Sequence, residues 1–310
     1  MNAVVRTTTD ADDPALDALW RRCFEATHLG DLHALDPDRH RHTFVAETPG
    51  SDGIDAVVVY VPRLIRDASG TPRRVGGIGS VATRPEARGR GLVKQLLAAA
   101  ERTMTAEGCD WSLLFTGTPG VYRGSGWQEF ARTYTEGALA APSAPGPLRV
   151  REASAEDTVE VTALHHAYNA GRPLSSLREP GDWAVRVAAW YRTAERPLVA
   201  VDPASGALTG WIVAEHTEER VLVREFAGSG ASLAPLLAAA GARGRAAGLT
   251  RARADLPDTP ETAAALPALV DDPRRVTEHT GMARPLRATA ASVLATVTAP
   301  GAVHWYGDCF

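Results

Sequence analysis

Apolar residues change their period several times along the chain, and each change marks an element. A short apolar start at Val4 and Val5 meets Asp10, Asp12, Asp13 and Pro14. This acid-rich cap precedes Leu16, Leu19, Trp20, Cys23 and Phe24 at helical spacing, so a strand over 4–7 leads into an amphipathic helix. Near-continuous apolar runs at 44–46, 54–65 and 75–81 are divided by SDG and DASGTP, which predicts antiparallel strands joined by turns. Leu92, Leu96, Leu97, Ala100 and Met104 return to helical spacing, predicting a long helix that begins near Arg88 and stops at Gly108. WSLLF at 111–115 is a buried-strand candidate.

The segment 141–147, APSAPGP, has the proline and small-residue content of a linker. The pattern then starts again: LRVREASAEDTVEVTAL has the strand, acidic cap and amphipathic helix of VVRTTTDADDPALDALW, and LLAAA occurs at both 96–100 and 236–240. A duplicated unit follows from this repetition. The copies differ at one point, because VATRPEARGRG between strand and helix in the first becomes FAGSGAS in the second. After 286 a short helical stretch, ATAASVLATV, breaks at Pro300 and Gly301 and gives way to AVHWYGDCF. Trp305, Tyr306 and Phe310 would be poor residues to leave in water, so this tail is expected to be buried.

Composition removes several classes. The chain has 310 residues, 45% hydrophobic and 23% charged, with a net charge of -4. No apolar run approaches the roughly 18 residues of a membrane span, and the acidic start MNAVVRTTTDADD has no apolar stretch of signal-peptide length. A cytoplasmic protein with no membrane or nucleic-acid partner is expected. Cys23, Cys109 and Cys309 are widely spaced and odd in number, which predicts free thiols and no structural zinc. His28, His33, His40 and His42 lie among Asp31, Asp36 and Asp38 at spacings that match no familiar metal site, so no metal is expected. His165 and His166 are adjacent on the predicted helix and are expected to be solvated.

The strongest chemical signal is the stretch Val81, Ala82, Thr83, Arg84, Pro85, Glu86, Ala87, Arg88, Gly89, Arg90, Gly91, Leu92 between a strand and a helix. Glycines there let successive N-H groups converge on an anion where the helix dipole is positive, as a pyrophosphate would require; the alternative is an arginine-rich surface turn. The segment resembles the acyl-CoA pyrophosphate loop of GNAT acetyltransferases, Arg/Gln-x-x-Gly-x-Gly/Ala. Arg88 and Gly91 match, while Val93 replaces the final small residue, a departure that resembles the Eis-like (enhanced intracellular survival) branch. The resemblance assigns acetyl-CoA as cosubstrate to Val81, Ala82, Thr83, Arg88, Gly89, Arg90, Gly91 and Leu92. In the family the strand before the loop splays from its neighbour and offers backbone groups to the pantetheine arm, here at Val81 and Thr83. GVYRGSGW puts Tyr122 at the position of the family's general acid. A phenol near pKa 10 can follow charge onto a leaving thiolate; without the loop it would read as a packing residue.

By the same resemblance the fold class is α/β with a mixed sheet, built as two tandem GNAT-fold domains: a catalytic domain over 1–143, a degenerate one over 147–286, and a tail over 287–310 docking into the first. Eis-like proteins commonly add a sterol-carrier-like domain, for which 310 residues leave no room. Their chain end returns to the active site and offers its carboxylate as general base, which falls here to Phe310; the alternative is a tail that only staples the two halves. Glu25 and Asp308 are expected to face the substrate. The activity implied is N-acetyl transfer to a primary amine of a small cationic molecule such as an aminoglycoside, a polyamine or a natural-product amine, hence antibiotic modification as one role. A non-catalytic acyl-CoA sensor and a tandem enzyme like mycothiol synthase remain as alternatives, and a homo-oligomer stays open.

Overall fold

A computed structural model describes residues 3–24, 28–51, 53–142 and 146–310. The first half contains β1 (Val4–Thr7), α1 (Asp13–Cys23), α2 (Leu29–Ala34), α3 (Arg39–His42), β2 (Thr43–Glu47), β3 (Ala56–Arg66), β4 (Pro72–Thr83), α4 (Leu92–Ala106), β5 (Trp111–Phe115), α5 (Gly120–Arg123) and β6 (Gln128–Leu139). The second half contains β7 (Arg149–Glu152), α6 (Thr158–Asn169), α7 (Pro180–Asp182), a π-helical turn (Trp183–Val187), α8 (Ala188–Trp190), β8 (Leu198–Val201), β9 (Leu208–His216), β10 (Val221–Gly228), α9 (Gly230–Ala246), β11 (Arg251–Ala254), α10 (Pro260–Ala265) and β12 (Val270–Pro285). A final helix, α11 (Ala290–Val297), leads into the tail. The predicted strands and α1 are found where the periodicity puts them. The predicted long helix begins at Leu92 instead of near Arg88, because Gly91 takes a left-handed φ of 74° and holds the preceding residues out of the helix.

The strands form one twelve-stranded sheet in the order β1-β2-β3-β4-β5-β12-β6-β11-β10-β9-β8-β7. Within it the two halves repeat each other: three antiparallel pairings, then one parallel pairing, β4 with β5 and β10 with β11. Each half is then completed by the other's last strand, since β12 pairs antiparallel with β5 and β6 with β11. β6 and β12 also pair with each other. The exchange covers the outer edges of β5 and β11, which would otherwise present unpaired backbone. A cut near residue 143 would therefore leave each half short of a strand. Part of the predicted linker, 143–145, lies outside the described residues.

The repetition extends to side chains. Arg6 on β1 grips Asp12 at 2.9 and 2.8 Å, and Arg151 on β7 grips Asp157 at 2.7 and 2.7 Å, in each case at the cap ahead of the helix. β3 is buried on both faces, which explains its unbroken apolar run. Its Val57, Val59 and Val61 pack with Leu16, Leu19 and Trp20 of α1. Ala56, Val58 and Tyr60 pack on the opposite face with Leu96, Leu97, Ala100 and Met104 of α4. Among the described residues, no helix is long and apolar enough to cross a membrane.

Candidate active site

The parallel ladder between β4 and β5 ends early. Its registered pairs are Val75↔Trp111, Gly76↔Ser112 and Gly77↔Leu113, yet β4 continues to Thr83 and β5 to Phe115, so the two strands part beyond Gly77. Opposite β3, β4 also carries an irregularity between Gly79 and Ala82. Ser80 has a φ of 51° there, and the Trp20 indole on α1 donates to its carbonyl at 2.8 Å. A bulge changes which residues face each side of the sheet and frees backbone groups from the ladder. Val81 then packs at the edge of the α4 cluster and Ala82 within the α1 cluster.

Beyond Thr83 a turn of 3-10 helix at Pro85–Ala87 leads to Arg88, Gly89, Arg90 and Gly91, all exposed, while Leu92 anchors the start of α4 in the core. Gly89 and Gly91 both have positive φ, at 75° and 74°, with no other heavy atom near enough to crowd an added Cβ. The first turn of α4 has no side-chain cap, which leaves its leading N-H groups directed into open space at the positive end of the dipole. Arg88 reaches back to the Thr83 carbonyl at 3.4 Å.

Tyr122 and Phe310 lie on opposite faces of the sheet at this parting. Tyr122, on α5, is 7% exposed and packs in the α4-side cluster with Ile78, Leu92, Leu96 and Leu114, edge-on to Trp127. Burial pushes its phenol up to about 12, with the Thr116 side chain opposing, so it is a proton carrier at neutral pH. Phe310 packs on the α1 side of β4: a Cβ at Gly77 would overlap its ring, and one at Gly79 would come within 2.5 Å of its main-chain oxygen and 2.6 Å of its carboxyl carbon. Its ring stacks on Phe115 of β5 at 6.4 Å, so the tail bridges the parted strands. Glycine in a strand interior marks a close backbone approach, and GGIGS in β4 was the available sequence signal for this seat.

Of the tail residues expected to be buried, Trp305 is, while Tyr306 and Phe310 are half-buried. Trp305, His304, Gly307 and Asp308 are buried, and the Trp190 indole donates to the Cys309 carbonyl at 3.0 Å. The inside position of Asp308 is a different matter from an open substrate wall: it is 3% exposed, and Arg178 donates to it at 2.7 Å. Arg178 also donates to Glu225 at 2.8 Å, and Glu225 meets His165 at 3.0 Å and Tyr191. Burial alone would lower the Arg178 guanidinium, but Asp308 and Glu225 hold it above its ordinary value, while its charge keeps both carboxylates low. His165 is therefore no solvated residue; it is fully buried, because it sits on α6 at the offset from Asp157 that Trp20 has from Asp12 on α1, the inward face. His166 is half-buried and bonded to the Arg178 carbonyl at 3.0 Å. Glu25 lies outside the described residues.

The second half keeps the parting strands but not the loop. β10 and β11 pair only from Val221↔Ala252 to Val223↔Ala254, and β10 has its own irregularity at Arg224. There Ser229 alone separates β10 from α9, and the Glu225, Arg178 and Asp308 charges fill the position. Of the histidines near the first helices, His40 accompanies Asp10 and Asp13 closely enough to suggest a cation site, but Arg39 already bonds Asp10 and Asp13 at 3.1 and 3.2 Å.

A narrow cleft with about 20 Å³ of enclosed space, opening to solvent, adjoins Phe310 and is lined by His33, Asp36, Arg39, Ser80, Arg186 and Trp190 among others. A larger cleft, about 400 Å³, opens between β6, β12 and residues 297–304. Its Arg253 and Arg275 are paired with Asp255 and Asp258 at 2.5 and 2.6 Å, and Phe310 does not line it.

Residues 4–130 match the family model described as an acetyltransferase (GNAT) domain. The solved structures similar in fold include a conserved protein of Enterococcus faecalis V583, described as a probable N-acyltransferase, at 14% identity, covering 93% of this chain and 73% of that one with a TM-score of 0.71. Eis1 from Mycobacterium abscessus is similar at 14% identity, 94% and 76% coverage and a TM-score of 0.64. Saccharomyces cerevisiae N-myristoyltransferase with bound myristoyl-CoA is similar at 10% identity, 98% and 85% coverage and a TM-score of 0.64. No curated protein sequence matches. Residues 4–130 are thus similar to a GNAT acetyltransferase domain, and the whole has the mixed α/β fold seen in these solved structures.

Proposed function

We propose that the protein is an acetyl-CoA-dependent N-acetyltransferase acting on a small-molecule primary amine, with a catalytic first half and a second half that is a degenerate copy of the same fold. The observation that carries this reading is the parted β4–β5 ladder, which has an uncapped glycine-rich helix start at its end and a protonated phenol and a carboxyl group on its two faces. The pyrophosphate of the cosubstrate lies on the N-H groups of 89–92, the pantetheine arm pairs with β4 around Val81 and Thr83, and the thioester enters the gap. Backbone N-H groups at the bulge polarise its carbonyl.

Acceptor and donor react in a ternary complex, so proximity supplies much of the rate. The carboxylate of Phe310 takes a proton from the acceptor ammonium, and the amine then forms a bond to the thioester carbon. As the carbon-sulfur bond breaks, Tyr122 gives its proton to the departing sulfur, while the nitrogen, now bonded to the acyl carbon, releases its surplus proton to water, from which Tyr122 is reprotonated. An α-carboxylate near pKa 3.5 is a weak base in water, so the scheme asks it to remove only one proton from an ammonium held beside it. An acyl-cysteine route has little support: burial raises Cys109 and pushes Cys309 up to about 12, leaving neither as a ready thiolate.

The test is mass-detected acetylation over a panel of amines that includes aminoglycosides, polyamines, amino acids and peptides, with acetyl-CoA as donor. Tyr122→Phe should lower kcat about 100- to 10,000-fold with acetyl-CoA affinity unchanged, and one residue appended after Phe310 should abolish turnover with the same affinity retained. Full turnover in either variant removes that group from the mechanism, and ping-pong kinetics would overturn direct transfer.

A further inference from the structure

The cleft beside Phe310 has a charge that nothing in the mechanism above uses. Arg186 lies on the π-helical turn Trp183–Val187, a rare geometry that recurs at functional sites. Its side chain is 14% exposed and lines the cleft with Phe310, Trp190 and Asp36. A guanidinium has five donors, and one so far withdrawn from water ordinarily spends them on carboxylates or carbonyls. Arg186 makes no hydrogen bond to any described residue, and its one ion pair, with Asp36, is long at 3.8 Å.

The other arginines nearby each hold a carboxylate at hydrogen-bond distance, although Nε of Arg39 and one Nη of Arg63 are buried without a partner. Arg39 bonds Asp10 and Asp13, and Arg63 bonds Asp182 at 3.2 Å while facing Arg186 across the small cavity lined by Ser176, Asp182 and Asp308. Burial first, and then Arg63, press the Arg186 guanidinium down to about 10, so it is still charged at neutral pH and gains from an added anion. Asp36 faces the same cleft. The cleft thus offers an unfilled cationic fork at one side and carboxyl groups at the other.

We infer that the acceptor is an amine that also carries a carboxylate, held at the open mouth of this narrow cleft by a two-pronged contact from Arg186 while its amino group points to Phe310. The inference rests on the acyl-transfer reading for the fate of that amine, and it narrows the acceptor to a zwitterion. Arg186 is a specificity residue in this scheme. It binds the group that distinguishes the acceptor from an aminoglycoside or a polyamine, and it takes no part in the proton transfers.

The test separates binding from turnover. Calorimetric titration of the CoA-loaded protein is made with the protein amino acids, each beside its carboxamide and the amine lacking the carboxylate, and with one aminoglycoside and one polyamine. At least one amino acid is expected to bind 10- to 100-fold more tightly than its two neutral-ended partners, as for a charge-assisted contact. That preference should fall to within about 3-fold in Arg186→Gln and survive in part in Arg186→Lys, with CoA affinity unchanged in both. Carboxamides, aminoglycosides or polyamines that bind as well as the amino acids overturn the inference with the wild-type protein alone, whatever the variants do. A carboxylate preference that persists in Arg186→Gln overturns it also. Arg186-dependent binding without acetylation by acetyl-CoA upholds this site and instead defeats the acyl-transfer reading.

Discussion

Gly79→Ala is the sharpest probe of the tail's seat. The added methyl would stand 2.5 Å from the Phe310 main-chain oxygen, 2.6 Å from its carboxyl carbon and 3.0 Å from its Cβ. Ordinary contacts between such atoms are about 3.5 to 4 Å, so the tail must retreat by roughly 1 Å or β4 must give way. β4 is held by β3 along its length and by the Trp20 bond to Ser80, whereas Phe310 ends the chain as given, so the tail is the part that moves. A displacement of about 1 Å at a reacting group costs on the order of 100-fold in rate, and overpacking costs about 1–3 kcal/mol in stability. Steady-state kinetics by mass detection, acetyl-CoA affinity by calorimetry and urea unfolding read these three quantities. The expectation is a kcat loss near 100-fold, unchanged acetyl-CoA affinity, and a stability loss that vanishes when Phe310 is deleted from the same variant, because the clash is then gone. Unaltered kcat, or a stability penalty that persists without Phe310, refutes the reasoning.

Three further outcomes follow from the geometry. Gly91→Ala meets no neighbouring atom, so its cost is the left-handed backbone alone, about 1–2 kcal/mol; acetyl-CoA affinity should fall about 5- to 30-fold, and an unchanged affinity by calorimetry would remove the loop from cosubstrate binding. Arg178→Met strands Glu225 and Asp308 as buried charges and should cost about 3–5 kcal/mol in urea unfolding; a loss under about 1 kcal/mol would mean that the network is not holding the tail. His304 is depressed to about 4 by burial, with Asp308 opposing, so in the unfolded chain it gains its proton first. Its stabilising share, up to about 3 kcal/mol, is present above about pH 6.5 and lost as pH falls towards 4. His33, also lowered to about 4 by burial, adds in the same window. Urea midpoints that stay flat across that window, or an equal slope in His304→Phe, would contradict this.

Local physics made much of the molecule legible from the sequence. The acid-capped helix over 13–23 and the apolar run of β3 each announce themselves within a few residues, and the glycine-rich helix start with Tyr122 beyond it carries its chemistry in order along the chain. The tail was legible for the same reason, since Trp305 and Phe310 must find cover. β6 was not read, because QEFARTYTEGAL mixes polar and apolar residues and becomes a strand only when β11 and β12 flank it. Its pairing is a decision of tertiary structure.

The same divide explains the charges. His165 looked like a surface residue because a polar side chain on a helix is ordinarily solvated, and only the assembled second half brings Glu225, Arg178 and Asp308 around it from distant parts of the chain. The cleft at Arg186 depends equally on long-range contacts, since its walls come from α2, the strands β3 and β4, the π-helical turn and the tail. Periodicity, capping and short motifs are properties of neighbours in sequence, and they determined the elements, the glycine-rich loop and the apolar tail. Which strands exchange, where the tail's last residue lies and which arginine is left with only a long ion pair depend on residues brought together over more than a hundred positions, and only the packed sheet decided them.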